Sequence, residues 1–452
     1  MNGRRRVLRH LAGLSALGGA TGLAGWLGAG GLGSVQAADY RAVVCIHLNG
    51  GCDGNDVLIP TDAAFADYTR ARGEIALPRS SVTALAGTSA GHTFGVNSAL
   101  APLAPMYASG RLAFLANVGP LIRPITAAQV LAGTAEVPPF LLSHSDQVAI
   151  QHGWGGDEDQ SGWAGRALES LSADLRNSLS AVTVGGQQTL ITGRRSRITR
   201  TNAGGQCCWG PVDLSRPEQI GTRLVARLAE LQSPNAYEAE YARTMLRGFD
   251  DAIELQSALS QAGTPAGTFA SDGIGSPLRY LAQVLPVFKA QGKRRQVFVV
   301  DWGSFDTHSN QRGTGEIAQD GQLAQLAAAL AAFDQSLRVA GLDSNVVTFT
   351  MSDFGRTLKP ASGAGTDHAW GSHHMVFGGP VQGGQVYGQF PSLVLGGVDD
   401  CDAEGEGRWV PTTATDQLGA TLATWLGMPL SALHDVFPNL VNFGQPRLPL
   451  LG

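Results

Sequence analysis

The stretch that decides the fold is Arg41-Ala-Val-Val-Cys-Ile-His-Leu48, followed by Asn49-Gly50-Gly51. A near-continuous apolar run that ends in a glycine turn is what a parallel strand buried on both faces requires. Similar runs recur at Leu112–Val118, Ala181–Val184, Gln296–Val300 and Asn345–Met351. Between them lies helical periodicity, at Ala99–Tyr107, Trp163–Leu175, Glu218–Leu231, Tyr237–Gln261, Pro277–Gln291 and Gln322–Val339. Strands alternating with helices predict an α/β protein with a doubly wound, mostly parallel sheet and helices on both faces. In such sheets, reactive groups gather where the carboxyl ends of strands meet glycine turns.

The 452 residues include 60 glycines, with 43% in the hydrophobic class and 15% charged. That is ample material for a large core and too little charge for a disordered or coiled-coil chain. The first 37 residues hold four arginines and no acid; without them 28 basic residues face 37 acidic ones, a balance of −9. The sign argues against nucleic acid as a partner. Lys289, Lys293 and Lys359 are the only lysines, a bias to which no function attaches. Past the N-terminus no apolar stretch reaches the roughly 18 residues of a transmembrane helix.

Residues 1–37 read as a signal peptide: a basic start, a Gly/Ala/Leu-rich middle and a small-residue exit at Val35-Gln36-Ala37. Arg4-Arg5 followed by Arg6, Val7, Leu8 and Arg9 resembles a twin-arginine signal, as does the weakly apolar, glycine-rich middle. An ordinary secretory signal or an uncleaved anchor is the alternative. The expectation is a periplasmic or extracellular protein that meets the twin-arginine translocase during export. The mature chain, 38–452, reads as one α/β domain with a helical insertion at about 213–275. Its cysteines, Cys45, Cys52, Cys207, Cys208 and Cys401, are too few for disulfides to be the main staple. Cys45 reads as a core residue; Cys401 either pairs with one of the adjacent Cys207 and Cys208 or all three are free.

Three segments put carboxylates and imidazoles beside strand ends: Asn49-Gly-Gly-Cys-Asp53-Gly-Asn55-Asp56; Asp301-Trp-Gly-Ser-Phe-Asp306-Thr-His308; and Ser352-Asp353-Phe-Gly-Arg356 with Thr366-Asp367-His368-Ala-Trp-Gly-Ser-His373-His374. Divalent ions take carboxylate oxygens and imidazole nitrogens. Each residue also has an ordinary use: Asp53 forms turns, Asp306 caps helices, and His374 sits in a core or on a surface. A further segment, Leu141-Leu-Ser143-His144-Ser145-Asp146-Gln147, looks like a helix start. There Ser143 either caps the helix or faces an anion held by free backbone N–H groups.

Together with Gly162-Trp-Ala-Gly-Arg166, Met351-Ser-Asp353-Phe-Gly-Arg356-Thr357 and Gly378-Gly-Pro-Val-Gln-Gly-Gly384, these segments resemble, over nearly the whole mature chain, the bacterial family called domain of unknown function 1501. That family is placed with the alkaline phosphatase and sulfatase-like superfamily. The resemblance implies an alkaline phosphatase-like α/β fold, an anionic ester substrate of phosphate or sulfate, and one or two divalent ions of Zn, Mn, Ca or Mg. It implies Asp53, Asp306, His308, Asp353 and His368 as metal ligands, and Ser143 as the nucleophile. Three departures stand out. Phe354 follows Asp353 where the phosphatase pattern has His, and Asp306 and His308 are two apart rather than four. Nothing around Cys52 matches the sulfatase cysteine that becomes formylglycine.

On this reading a metal polarises the ester and activates Ser143 or a water, while Arg356 holds the remaining anionic oxygens in bidentate fashion or makes a surface salt bridge. The other reading is a non-catalytic secreted binding or assembly protein that keeps the fold.

Overall fold

The computed structural model describes residues 39–153, 159–205 and 220–452. The signal segment and Cys207 and Cys208 lie outside the described residues. All five apolar runs form strands of one nine-stranded sheet: β1 (Arg41–Leu48), β5 (Leu112–Gly119), β6 (Ala181–Val184), β8 (Arg295–Trp302) and β9 (Val346–Ser352). The chain order also contains β2 (Ile59–Pro60), β3 (Val82–Ser89), β4 (His92–Asn97), β7 (Thr199–Thr201), β10 (Ser372–Phe377), β11 (Val386–Tyr387) and β12 (Thr413–Ala414). The large sheet runs β11-β5-β10-β9-β1-β8-β6-β7, with β12 also on β5. Strands β9, β1, β8, β6 and β7 run parallel to one another, and among the described residues β10 alone runs against its neighbours β5 and β9. The fold is α/β with a mostly parallel sheet.

β1 sits in the centre, and its side chains divide between the two faces as the pleat demands. Ala42, Val44, Ile46 and Leu48 join one core with Leu281 and Leu285 of the helix Gly275–Ala290 and Leu326 and Phe333 of the helix Gln319–Val339. Val43 and Cys45 join the other, with Trp163 and Leu168 of the helix Trp163–Ser170 and Leu422 of the helix Thr415–Leu426. Both faces are therefore covered by helices, as a parallel sheet needs. Leu255 and Ala258 of the 26-residue helix Ala236–Gln261 belong to the first core.

β2, β4 and β3 form a small separate antiparallel sheet. Its hairpin turns at Ala90 and Gly91, with φ of 49° and 81°. Two successive positive φ values match the right-handed twist of a two-residue turn.

A candidate metal centre at the strand ends

The carboxyl ends of β1, β8 and β9 lie side by side, with His47 in register with Asp301 on one side and Met351 on the other. The loops that leave them touch because of two glycines. Gly50 has φ of 104°, and a Cβ there would lie 2.6 Å from the Asp306 backbone nitrogen. Gly51 has φ of 83°, and a Cβ there would lie 2.5 Å from the Phe354 ring. A side chain at either position is excluded by strain and by space. The third approach comes from the loop ahead of the helix His144–Gln151, where Phe140 and Leu142 hold φ of 54° and 71°. Strain of this kind in non-glycine residues collects at functional sites.

Around the Asp306 carboxylate stand three imidazoles, each held by its Nδ1. His144 Nδ1 is 2.7 Å from Asp353 Oδ2, His308 Nδ1 is 2.8 Å from Asp367 Oδ1, and His368 Nδ1 is 2.8 Å from the Leu142 carbonyl oxygen. All three therefore turn Nε2 inward. His308 and His368 Nε2 lie 3.1 and 3.3 Å from Asp306 Oδ1, and His144 Nε2 lies 3.5 Å from Asp306 Oδ2. The Nε2 atoms of His308 and His368 are 3.0 Å apart. Ligand atoms of His144, Asp306 and His368 all fall within 4.8 Å of one another. Phe354, 1% exposed, lays its ring against His368 and His144 at centroid distances of 4.3 and 4.7 Å.

An acceptor on Nδ1 fixes the tautomer with its proton there and leaves the Nε2 lone pair facing inward. Three lone pairs and a carboxylate pointed at one place need a positive centre. Arg356 supplies part of it. Burial pushes the Asp306 carboxyl up, but the hydrogen bond and charge of Arg356, with His308 and His144, hold it below the usual carboxylate range. His368 is shifted down, first by burial and then by the charges of Arg356 and His144, against the pull of the Leu142 carbonyl and Asp306.

The expected site residues fall into two groups. Asp306, His308 and His368 are brought together. Asp53 is not: its Oδ2 is 2.6 Å from Arg72 Nη2 and accepts from Gln311 at 2.7 Å, while its Oδ1 accepts from the backbone and side chain of Asn55. Asp53, Asp56 and Arg72 are all fully buried, and Arg312 closes the network on Asp56. Asp353, 2% exposed, accepts from the Gly50 N–H and supports His144, so it stands behind the inward-facing atoms rather than among them.

Arg356 departs from its expected role as an anion clamp. It is fully buried, and its Nε, Nη1 and Nη2 donate to the carbonyls of Gly51, Thr366 and Gly50 and to Asp306. It holds two loops and the carboxylate in place. Ser143 sits at the helix N-cap position, yet its hydroxyl donates to Asp146 and makes no capping bond. His373 and His374 belong to β10 and are buried, with His373 Nδ1 accepting from the Asn117 backbone N–H at 3.0 Å. The residue sequence reasoning passed over is His144, one position after the serine it preferred. The signal was present in the same motif, because an imidazole at the start of a helix facing a strand end is as well placed as a hydroxyl. Asp367, Asp301 and His47 were likewise visible but given no role.

An α/β protein whose strand ends gather imidazoles around one carboxylate is what fold and site define. The chain belongs to the family described as protein of unknown function (DUF1501), whose model matches residues 40–401. No curated protein matches it. Among solved structures it is similar to the lipoteichoic acid synthase LtaP from Listeria monocytogenes, at 10% identity, covering 87% of this chain and 73% of that one with a TM-score of 0.34. It is also similar to a protein in the alkaline phosphatase superfamily from Vibrio parahaemolyticus (10% identity, 87% and 68% covered, TM-score 0.32). A third is the PsFucS1 sulfatase from Pseudoalteromonas sp. (10% identity, 94% and 76% covered, TM-score 0.31). Scores this low say nothing of chemistry.

Proposed function

We propose that this protein is an exported, metal-dependent hydrolase or transferase of phosphate or sulfate esters, built as one α/β domain over 38–452 behind a signal of residues 1–37. The observation that carries the reading is the inward convergence of three Nε2 atoms on the Asp306 carboxylate, each imidazole fixed from behind through Nδ1. The donor set is rich in imidazole, which suits Zn first, Mn less well, and not the all-oxygen shells of Ca or Mg. His144, Asp306 and His368 would hold the ion, with His308 as a fourth donor. Such an ion supplies Lewis-acid polarisation of an ester oxygen and a lowered pKa for a bound water or alcohol.

The chain's own groups set the rest. Asp353 and Asp367 keep His144 and His308 in the tautomer that presents Nε2. Arg356 keeps Asp306 ionised and ties it to the Gly50-Gly51 turn. Phe354 walls one side and excludes water from the rings it touches. Ser143, bonded to Asp146, is not offered to the cluster, so water is the attacking group this arrangement favours. No helix among the described residues is long and apolar enough to cross a membrane.

The test is hydrolysis by purified protein, metal-loaded, of p-nitrophenyl phosphate, a phosphodiester and an aryl sulfate. Cleavage of one of them that is lost in Asp306→Asn is the expected result. A folded, metal-loaded protein inert on all three would contradict it. Phe354, standing where the phosphatase pattern has an imidazole, favours a second reading. In it the protein is secreted, keeps the metal for structure and binds without turnover; metal retention with no hydrolysis is its signature.

A further inference from the structure

A second opening lies along the same strand ends. A cavity of about 510 Å³ sits over the ends of β6, β7 and β8, lined among others by Arg200, Gly273, Asp301 and Trp302. Asp301 is held on one side only: its Oδ1 is 2.9 Å from His47 Nδ1, and its side chain is 17% exposed. Its other oxygen faces Gly186, where a Cβ would come within 3.0 Å of it. Gly185, with φ of 131°, passes the backbone and Cβ of the same residue, where a Cβ would lie 3.3 Å from the Asp301 carbonyl oxygen and 3.4 Å from its Cβ. The missing side chain at Gly186 thus leaves that oxygen uncovered, and Gly185 lets the chain pass close to Asp301. Trp302 is braced edge-on by Phe305 at 5.7 Å and 78°, and Gly273, with φ of 52°, passes its indole where a Cβ would lie 3.5 Å from Nε1. Arg200 projects from the exposed side of β7.

The cavity is tied to the imidazole cluster twice. Trp302 ends β8 and Asp306 lies four residues on, in the loop that leaves it, at most roughly 14 Å away. Through the interior, His47 reaches from Asp301 to Asp353, its Nε2 3.4 Å from Asp353 Oδ1, and Asp353 in turn holds His144. Ligands of open α/β sheets bind in the crevice outside the carboxyl ends of the strands, and the volume suits a small molecule.

We propose that this cavity binds an uncharged polyhydroxylated unit, a sugar or a polyol. We further propose that it receives the alcohol portion of the ester whose acid portion lies at His144, Asp306 and His368; this second part rests on the function proposed above. A hydroxyl both donates and accepts, so a wall that offers a carboxylate and a guanidinium together recognises it from both sides. An indole offers the apolar face on which the C–H side of a sugar ring rests. A purely anionic ligand would meet Asp301, and a purely cationic one would meet Arg200.

The experiment is calorimetric titration of the full-length mature protein with galactose, N-acetylglucosamine and glycerol, with inorganic phosphate as a fourth probe. It uses the wild type, Arg200→Ala, Trp302→Ala and Asp306→Asn. Saturable binding of at least one of the three hydroxylated probes with Kd near ~1 mM is expected. It should weaken at least tenfold (roughly 1.4 kcal/mol) in Arg200→Ala and Trp302→Ala, and persist in Asp306→Asn. Arg200 is exposed, so its variant keeps the test valid if Trp302→Ala fails to fold. The proposal is overturned by the absence of saturable binding of all three, by binding that both variants leave unchanged, or by phosphate as the only probe whose binding Arg200→Ala abolishes. Sugar binding in a protein inert on every ester would leave the cavity assignment standing and remove the hydrolase, so the two claims fail separately.

Discussion

Asp53 and Asp306 both follow a central strand, and the physics around them is opposite. Asp53 is sealed with Arg72 and Asp56, where deleting one partner leaves charge buried without compensation. Asp53→Ala should therefore cost about 3 kcal/mol of stability, read as a lowered urea midpoint, with metal content unchanged once folded. Loss of activity in that variant would report unfolding and not chemistry. His144 is 38% exposed on its side chain, and His144→Ala should change metal-free stability by less than ~1 kcal/mol while reducing metal retention. Asp353→Asn probes the support from behind. Its amide still fills the space but no longer anchors Nδ1 with a charge, and metal affinity should fall by roughly 10- to 100-fold with the fold intact. An unchanged affinity in a competition titration with a chelator would remove Asp353 from its positioning role.

At the scale of elements, the apolar runs were legible because a strand buried on both faces has no room for polar residues. Three of the five found this way, β1, β8 and β9, are the strands whose ends frame the site. β10 was hidden. His373 and His374 stand in a segment of possible ligands, with a core or surface place as the ordinary alternative for His374; both lie in β10, all of whose residues are buried, and burial has pushed His373 down to about 3 and His374 to about 4. The helix expected to reach Leu175 ends at Ser170, where Leu171 turns extended and Ser172 bonds Asp174. Among site residues, Asp306 and His308 could be found from their place after a strand, and His368 from the segment between β9 and β10. Asp53 could not be sorted from them, because its engaged oxygens depend on Arg72 and Gln311, which arrive from distant segments. The turn Gly50-Gly51 joins the three loops, and Gly50→Ala should force them apart. We expect a cost of about 3 kcal/mol from strain and overlap together, and a parallel loss of metal binding. Retention of both would mean that the loops are not packed as described.

For the whole molecule, the buried histidines set the acid limit. His374, lowered by burial and by His47, and His373, lowered by burial and by His374, are neutral when folded and take up protons on unfolding below about 6.5. The unfolded state then binds more protons, so stability rises with pH and is lost as pH falls from about 6.5 towards about 4 for His374 and about 3 for His373. The His374 contribution alone is about 3 kcal/mol. Asp416, raised to about 6 by burial, has the opposite sign between about 3.8 and 6 and offsets part of it. Urea midpoints between about pH 4.5 and 7 should fall on the acid side, and His374→Gln should flatten the slope by about one proton. A profile flat in the wild type would contradict the burial assigned to both rings.

The measurement that bears most directly on the central claim is the metal content of the purified protein, by elemental analysis after exposure to Zn and Mn and removal of free ion. It compares the wild type with His144→Ala, Asp306→Asn and His368→Ala. The account expects near-stoichiometric Zn or Mn in the wild type and its loss in each variant, all four remaining folded. A folded wild type that retains no ion, or variants that retain it as the wild type does, would contradict it.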